Sequence, residues 1–315
     1  MRIERIALIG GSGFVGRHLV HHLHNRGYRC TVVTRHAHRH KELQPVADLV
    51  EVNPFDARAL SSALRGCDAV VHLVGILNAG RKQDFRRVHV ELVENVVGAC
   101  QTAGIKRFLH MSALNADQAS GSSQYLRTKG EGENRAHTLG QSQMAVTSFR
   151  PSVIFGPDDS FLNRFAQLLR IPGPLPLACP EALMAPVYVG DVVQAFANAL
   201  EDPATYGKRY ELCGPESYTL KQLVAFIAQH SGRRKMIIGL PDWLSRLQAA
   251  VLQFAPGKPF TPDNYQSLQT PSVCTSDGLS ELGIDATSLA NAGARFLRGE
   301  DKNRSRIHRR MFSGR

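Results

Sequence analysis

Along the first 150 residues, short runs of consecutive apolar positions alternate with longer stretches whose apolar positions recur every three or four residues. The short runs, at 5–9, 30–34, 47–52, 69–73, 107–111 and 145–149, predict strands. The longer stretches, at 15–26, 57–64, 84–103 and 125–139, predict amphipathic helices between most of them. Strands apolar on both faces and separated by helices predict an α/β fold: a doubly wound parallel sheet, covered on both sides, with right-handed crossovers. The rhythm breaks after Arg150-Pro151. Pro172-Gly173-Pro174-Leu175-Pro176 and Ala185-Pro186 read as loop punctuation. Further helices are expected at 160–169, 189–200, 220–229 and 242–254. This predicts a sheet domain at 1–150, a smaller mixed C-terminal lobe at 151–297 whose chain crosses back to the core, and a tail at 298–315.

The first predicted strand ends in Gly10-Gly11-Ser12-Gly13-Phe14-Val15-Gly16, and a helix follows at once. Strand, glycine-rich turn and helix in that order form a dinucleotide-binding fingerprint. Gly10 permits the tight turn, Gly13 lets the backbone approach a pyrophosphate, and Gly16 lets the helix lie close on the strand. The helix start adds unpaired N–H groups, so Gly11, Ser12, Phe14 and Val15 belong to the same expected phosphate cradle. An acid about 20 residues on would favour NAD. Here the second strand ends Val33-Thr34-Arg35-His36, with no acid. Arg35 can pair a 2′-phosphate in bidentate fashion, and Arg39 and Lys41 add positive field. NADP(H) is therefore expected over NAD(H); were Arg35 only to stack on the adenine, either cofactor would fit. Asn53, after the third strand, is placed to accept from the adenine amino group. Val74, in Leu73-Val74-Gly75, ends the fourth strand where the nicotinamide ribose would pass.

Tyr125-Leu126-Arg127-Thr128-Lys129 places a phenol and an ammonium at i and i+4, on one helix face. Ser112 lies just beyond the fifth strand. In a doubly wound sheet the carboxyl ends of strands border the ligand crevice, so Ser112, Tyr125 and Lys129 are expected beside the nicotinamide. Lys129 would favour the phenolate, hold the ribose and help Tyr125 exchange a proton, while Ser112 orients a carbonyl or hydroxyl. The bland alternative is that Tyr125 and Lys129 only line the cofactor pocket.

Composition changes this picture little. The formal net charge is +11, but residues 298–315 carry seven Lys/Arg against two acids, leaving +6 for the first 297 residues. The excess sits in a tail rather than along a groove, so no nucleic acid is expected. The tail reads as a solvated end or as a contact for anionic lipid or an acidic partner. Six cysteines without a C-x-x-C pair argue against structural zinc and a disulfide framework, and for a reducing compartment. His18, His21 and His22, and His36, His38 and His40, lack matching Cys or carboxylate partners, so no metal is expected. No apolar run is long enough for a membrane helix. Trp243, Leu247, Val251 and Phe254 fall at helical spacing; that stripe is expected to be core, with a membrane-surface or partner face as the alternative.

Several segments carry a family likeness: GGSGFVG at 10–16, HLVGIL at 72–77, HMSALNA at 110–116, YLRTK at 125–129, RPSVIFGP at 150–157, FLNRF at 161–165, PVYVGDVVQA at 186–195 and YELCGPESYTL at 210–220. Together they resemble the extended or atypical short-chain dehydrogenase/reductases over nearly the whole chain. The branch they are most similar to holds the nucleotide-binding accessory subunit of mitochondrial complex I (alpha-subcomplex subunit 9) and its bacterial relatives. With no transit-like leader before Met1, a bacterial member is expected. The resemblance implies a Rossmann core with a C-terminal lobe, and bound NADP(H). The mitochondrial subunit is regarded as holding its nucleotide for structural reasons, whereas other relatives are linked to quinone biosynthesis or act as reductases. Two departures weaken the carry-over: Asn53 stands where many extended members have Asp, and Met111-Ser112-Ala113 replaces a Ser-Ser pair. The lobe is implied to shape a substrate pocket from Phe155, Phe161, Phe165, Pro186 and Tyr188, with Arg150 and Arg164 as the candidates for a diphosphate. The expected function is NADP(H)-dependent oxidation or reduction of a small apolar carbonyl or quinone-pathway (ubiquinone) compound. The alternatives are a non-catalytic accessory or assembly protein of a respiratory complex, and a nucleotide-sugar epimerase or dehydratase. A cytoplasmic protein is expected, with attachment to the inner face of the cytoplasmic membrane as a variant.

Overall fold

The computed structural model describes residues 2–78, 85–233 and 235–297. The described residues divide into two units, the first made of 2–78, 85–151, 190–212 and 274–284, the second of 152–189, 213–233, 235–273 and 285–297. The first unit is built on seven parallel strands: β1 (Arg5–Ile9), β2 (Arg29–Thr34), β3 (Asp48–Glu51), β4 (Ala69–His72), β5 (Arg107–Met111), β6 (Ala145–Pro151) and β7 (Arg209–Leu212). Their order across the sheet is β7-β6-β5-β4-β1-β2-β3. The order reverses between β1 and β4, where Leu8 pairs with Val71, and that switch point opens a crevice at the carboxyl ends.

Helices α1 (Phe14–Asn25), α2 (Ala57–Leu64), α3 (Leu92–Ala103), α4 (Gln124–Gly140) and α5 (Val189–Ala199) accompany these strands. Their starts follow local chemistry. Asp56 accepts from the Arg58 and Ala59 N–H groups at the head of α2, and Ser123 accepts from Leu126 N–H at the head of α4. Gly104, left-handed at φ 75°, ends α3. Between the sheet and α2, α3 and α4 lie Ile9, Val70, Val93, Val96, Phe108 and Val146, all buried. Each large side chain so buried contributes roughly 1.5–3 kcal/mol.

Two features depart from expectation in this unit. The seventh strand was not predicted, because Arg-Tyr-Glu-Leu offers no apolar run; it is a strand because Tyr210 pairs with Phe149 and Leu212 with Pro151. The helix expected at 84–103 is two structures. A π-helical turn, Arg87–Glu91, runs into α3, and Asp84 lies outside the described residues.

The second unit holds short strand pairs, Ile154–Phe155 with Val187–Tyr188, Leu183–Met184 with Tyr218–Thr219, and Leu175–Leu177 with Ile237–Gly239. Its core gathers Phe155, Leu162, Met184, Leu223, Val224 and Ile227, with Phe161, Phe165 and Tyr188 packed against it. Trp243, Leu247, Val251 and Phe254 are not core. The helix Asp242–Leu252 buries Ser245 and Ala249 instead, and the large apolar side chains face outward. Cysteine spacing gave no sign of a bridge, yet Cys213 of this unit is disulfide-bonded, while Cys30, Cys67, Cys100 and Cys179 are free. Bridging depends on the distance between two Cα atoms in the fold, which sequence spacing does not report. Among the described residues, no helix is long and apolar enough to cross a membrane.

Candidate functional site

Three glycines of the turn from β1 into α1 have distinct physical surroundings: Gly10 and Gly13 before the helix and Gly16 in its first turn. Gly10 sits at φ +87°, a conformation costly for any residue with a Cβ, and its N–H-accepting carbonyl closes the turn onto Gly13 N at 3.0 Å. A Cβ on Gly16 would collide with the Gly10 carbonyl oxygen and with the Gly11 backbone. Gly13 differs: it is exposed, and only the Gly10 oxygen would come near its Cβ, at 3.2 Å. No side chain caps α1, whose N-cap is Gly13, and no acid lies in its first turn. The first N–H groups of α1 are therefore left without a side-chain acceptor beside the exposed Gly13 backbone, as the holding of a phosphate requires. Arg17 steadies the turn by donating to Ser12 O at 3.1 Å.

Past the carboxyl ends of β2 and β3 a cleft of about 400 Å³ is lined by Arg35, His36, Asn53, Phe55, Arg87 and Val88. Arg35 follows β2 directly and is exposed. Asn53 turns its side-chain oxygen back to accept from Phe55 N at 3.2 Å. Arg87, from the π-helical turn, lays its guanidinium 4.8 Å over the Phe55 ring. A second cation on this cleft was not foreseen, because Arg87 sits 52 residues beyond Arg35 and reaches the cleft only through the fold. Val74 packs on the glycine turn, its Cγ2 3.1 Å from where a Gly10 Cβ would stand.

Ser112, Tyr125 and Lys129 belong to the end of β5 and the first turns of α4. Ser112 donates its backbone N–H to Phe149 O at 2.7 Å, continuing the sheet one residue beyond β5. Its hydroxyl is buried and has no partner. Lys129 is buried and donates to Met111 O at 2.6 Å, so the ammonium is fixed against the carbonyl just before Ser112. Burial pushes its pKa down to about 8, with Glu133 offsetting part of that fall. Tyr125 is half-buried one turn earlier, with the Phe85 and His89 rings edge-on at 6.3 and 5.5 Å. Gly75, after β4, completes the group: a Cβ there would stand 3.7 Å from His89 Nε2 and 3.8 Å from Lys129 Nζ.

Sequence reasoning missed the histidines behind this group. His89 Nε2 accepts from Ile76 N–H at 3.1 Å, which places its proton on Nδ1, donated to Thr128 Oγ1 at 2.9 Å. It thereby ties the Gly75–Ile76 backbone to α4. Burial, then the charge of Lys129, pushes its pKa down to about 2. His72 and His110, neighbours across β4 and β5, stack at 5.3 Å and share an Nδ1···Nδ1 contact of 3.2 Å. One ring donates and the other accepts, so the two are opposite tautomers, and both Nε2 atoms are buried without a partner. Burial and Lys129 push His72 down to about 3 and His110 well below its ordinary value. The signal in the sequence was a histidine inside two of the predicted strand runs, at His72 and His110; His89, between Arg87 and Glu91, had none.

Arg150 and Arg164 are already engaged. Arg150 grips the wholly buried Glu133 with two nitrogens at 2.8–3.1 Å, and Arg209 pairs with the same carboxylate. Arg164 donates to Pro259 O at 3.2 Å.

Comparisons with known proteins bear on the family and the fold. Residues 6–213 match the NAD dependent epimerase/dehydratase family. The chain is 32% identical over 308 residues to NADH dehydrogenase [ubiquinone] 1 alpha subcomplex subunit 9, mitochondrial, of Rattus norvegicus, covering 92% of this chain and 79% of that one. It is 27% identical over 240 residues to a ceramide reductase of Caulobacter vibrioides, covering 75% and 74%. Its fold is similar to that of dTDP-glucose 4,6-dehydratase from Streptomyces venezuelae, solved with NAD bound, at a TM-score of 0.74 and 21% identity over 96% of this chain and 98% of the other.

Proposed function

The chain belongs to the NAD dependent epimerase/dehydratase family, and from that premise we propose that it binds NADP(H) and oxidises or reduces a lipophilic carbonyl or quinone-pathway compound. The observation that carries the reading is the unpaired, buried Ser112 hydroxyl beside a Lys129 ammonium fixed on Met111 O, with Tyr125 one turn away. A buried hydroxyl without a partner costs about 1–3 kcal/mol, a cost that a substrate oxygen would remove.

The residues fit a dinucleotide. The open Gly13 backbone and the head of α1 would hold the pyrophosphate, with Asn53 and Phe55 near the adenine. Arg35 and Arg87 line one cleft and would meet a 2′-phosphate as two cations. Bound, the nicotinamide would supply or take up the hydride. The chain's own residues do the rest. Ser112 Oγ orients the substrate oxygen. Tyr125 gives that oxygen its proton, or removes it in the reverse direction. Lys129, charged below pH about 8, favours the phenolate left behind. His89, held neutral, fixes the Gly75–Ile76 backbone against α4, so Tyr125 and Lys129 keep their places. A ceramide reductase among the relatives is in keeping with a lipophilic substrate. A nucleotide sugar is less well served, because Arg150 is spent on Glu133.

A second reading has its own support in the 32% identity to the complex I subunit: the chain would hold its nucleotide inside a respiratory assembly without turnover. One experiment separates the two. Purified protein loaded with NADPH is mixed with long-chain aldehydes, ketones and quinones, and absorbance at the nicotinamide band is followed. Turnover is expected for the wild type, with a loss of at least ~100-fold in Tyr125→Phe and unchanged NADPH affinity. No turnover across the panel, with respiratory subunits co-purifying from native membranes, would favour the second reading.

A further inference from the structure

We propose that the second unit docks on an anionic lipid surface through the outward face of the helix Asp242–Leu252 and the residues flanking it. Trp243, Leu247, Val251 and, just beyond the helix, Phe254 are 66%, 53%, 60% and 84% exposed. At about 100° per residue these four fall within about 80° of one another, with exposed Ala250 about 20° beyond the edge of that arc. The opposite side of the helix is small and engaged. Ser245 and Ala249 are buried, Ser245 Oγ donates to Pro241 O at 3.2 Å, and Gln248 Nε2 donates to Pro176 O at 3.4 Å. A surface helix ordinarily turns its large apolar side chains to a core; here only the small Ser245 and Ala249 are buried, Leu244 and Leu252 are half-buried, and Trp243, Leu247 and Val251 face outward. Met236 and Ile238, just before the helix in sequence, are 71% and 44% exposed. Six of the ten exposed large apolar residues among those described thus fall within the nineteen positions 236–254, a concentration along the chain rather than an even scatter.

Charge selects the occupant. Residues 221–258 carry Lys221, Arg233, Arg234, Lys235, Arg246 and Lys258 against one acid, Asp242, a net of +5 for the segment; Arg246 pairs with Asp242 at 3.0 Å and Lys235 donates to Leu168 O at 3.1 Å, which leaves the rest of the positive charge without an acid in the segment. A second copy of this chain would set that charge against itself. An acidic protein surface would meet the cations but leave the ridge of Trp243, Leu247, Val251 and Phe254 against polar groups. An anionic bilayer meets both needs: headgroups for the cations, and acyl chains a few ångströms below for the ridge, with an indole at the boundary where amphipathic rings settle. This inference is independent of the proposed reaction, since every residue it uses lies in the second unit.

The protein carries its own reporter, because Trp243 is its only tryptophan. The full chain is titrated with vesicles of phosphatidylcholine alone or mixed with phosphatidylglycerol. The expected result is a blue shift of tryptophan emission and quenching by brominated acyl chains with the mixed vesicles only, weakening as salt rises. Leu247→Glu and Phe254→Glu, each with unchanged far-ultraviolet circular dichroism, are expected to lower vesicle affinity by at least ~10-fold. Three outcomes would overturn the proposal. One is no shift on anionic vesicles. Another is vesicle sedimentation without a tryptophan shift, which would mean that other basic segments alone hold the lipid. The last is a blue shift that grows with protein concentration in the absence of lipid, which would assign the face to a second copy.

Discussion

A guanidinium facing a 2′-phosphate discriminates by charge, because the same group facing a ribose hydroxyl gains little. Arg35→Asp removes the attraction and adds repulsion while leaving the glycine turn intact. NADPH affinity is expected to fall by about 100-fold, the scale of charge-assisted hydrogen bonds, with NADH affinity changed by less than about 3-fold. Titration calorimetry with both nucleotides checks this, and equal loss of both would remove the 2′-phosphate assignment. At this scale the sequence was informative wherever a local rule applied. Gly10 and Gly16 are bare for reasons of backbone angle and close approach, both implied by strand, turn and helix in succession. Tyr125 and Lys129 share a face because a helix places i and i+4 together. Arg87 and His89 were silent. Each functions through contacts with residues far away in sequence, and a π-helical turn, which no local pattern announced, sets where they point.

Elements are held in register here by buried charge as well as by apolar contact. Glu133 of α4 is wholly buried and pairs with Arg150 of β6 and Arg209 of β7, joining one helix to the two last strands of the sheet. Removing the carboxylate alone leaves two guanidinium groups facing each other. Glu133→Ala is expected to cost ~3–5 kcal/mol in urea unfolding, far more than an exposed ion pair such as Arg2–Glu4, worth ~0–1 kcal/mol. A loss below about 1 kcal/mol would show that the pairs hold no such register. The first six strands were legible because runs such as Ile6-Ala7-Leu8-Ile9 are apolar on both faces. The seventh was not, because its membership rests on a pairing with β6 that no run of residues records. The helix Asp242–Leu252 was legible as a helix yet misplaced as core, since helical spacing shows that a face exists and not what covers it.

For the molecule as a whole, the three histidines buried behind Lys129 make acid the weak point. His72, His89 and His110 stay neutral when folded, pushed down to about 3, to about 2 and well below the ordinary value. Unfolded, each titrates near 6.5. Between pH about 6.5 and 4 the unfolded chain therefore binds about three more protons at these sites than the folded one, and stability falls as pH falls, by up to ~4 kcal/mol per unit. Denaturant midpoints at pH 7, 6 and 5 should drop steeply, and a flat profile would mean that the rings charge without unfolding. The limit of the first unit at Pro151 has a local signal in the change of rhythm there, but its later returns, at 190–212 and 274–284, have none.

Those returns carry a consequence for how such a chain can be altered. The strand that closes one edge of the sheet, Arg209–Leu212, comes after the whole of 152–189. A fragment ending near residue 150 would thus lack an edge strand and expose β6, so it is a poor candidate for separate expression. Conversely, 152–189 and 213–273 enter and leave the first unit as two excursions. Selection, natural or in a library, can rewrite those excursions while every residue of the seven strands and of the glycine turn stays as it is. The glycine turn and the seven strands lie in the frame, and the two excursions lie outside it.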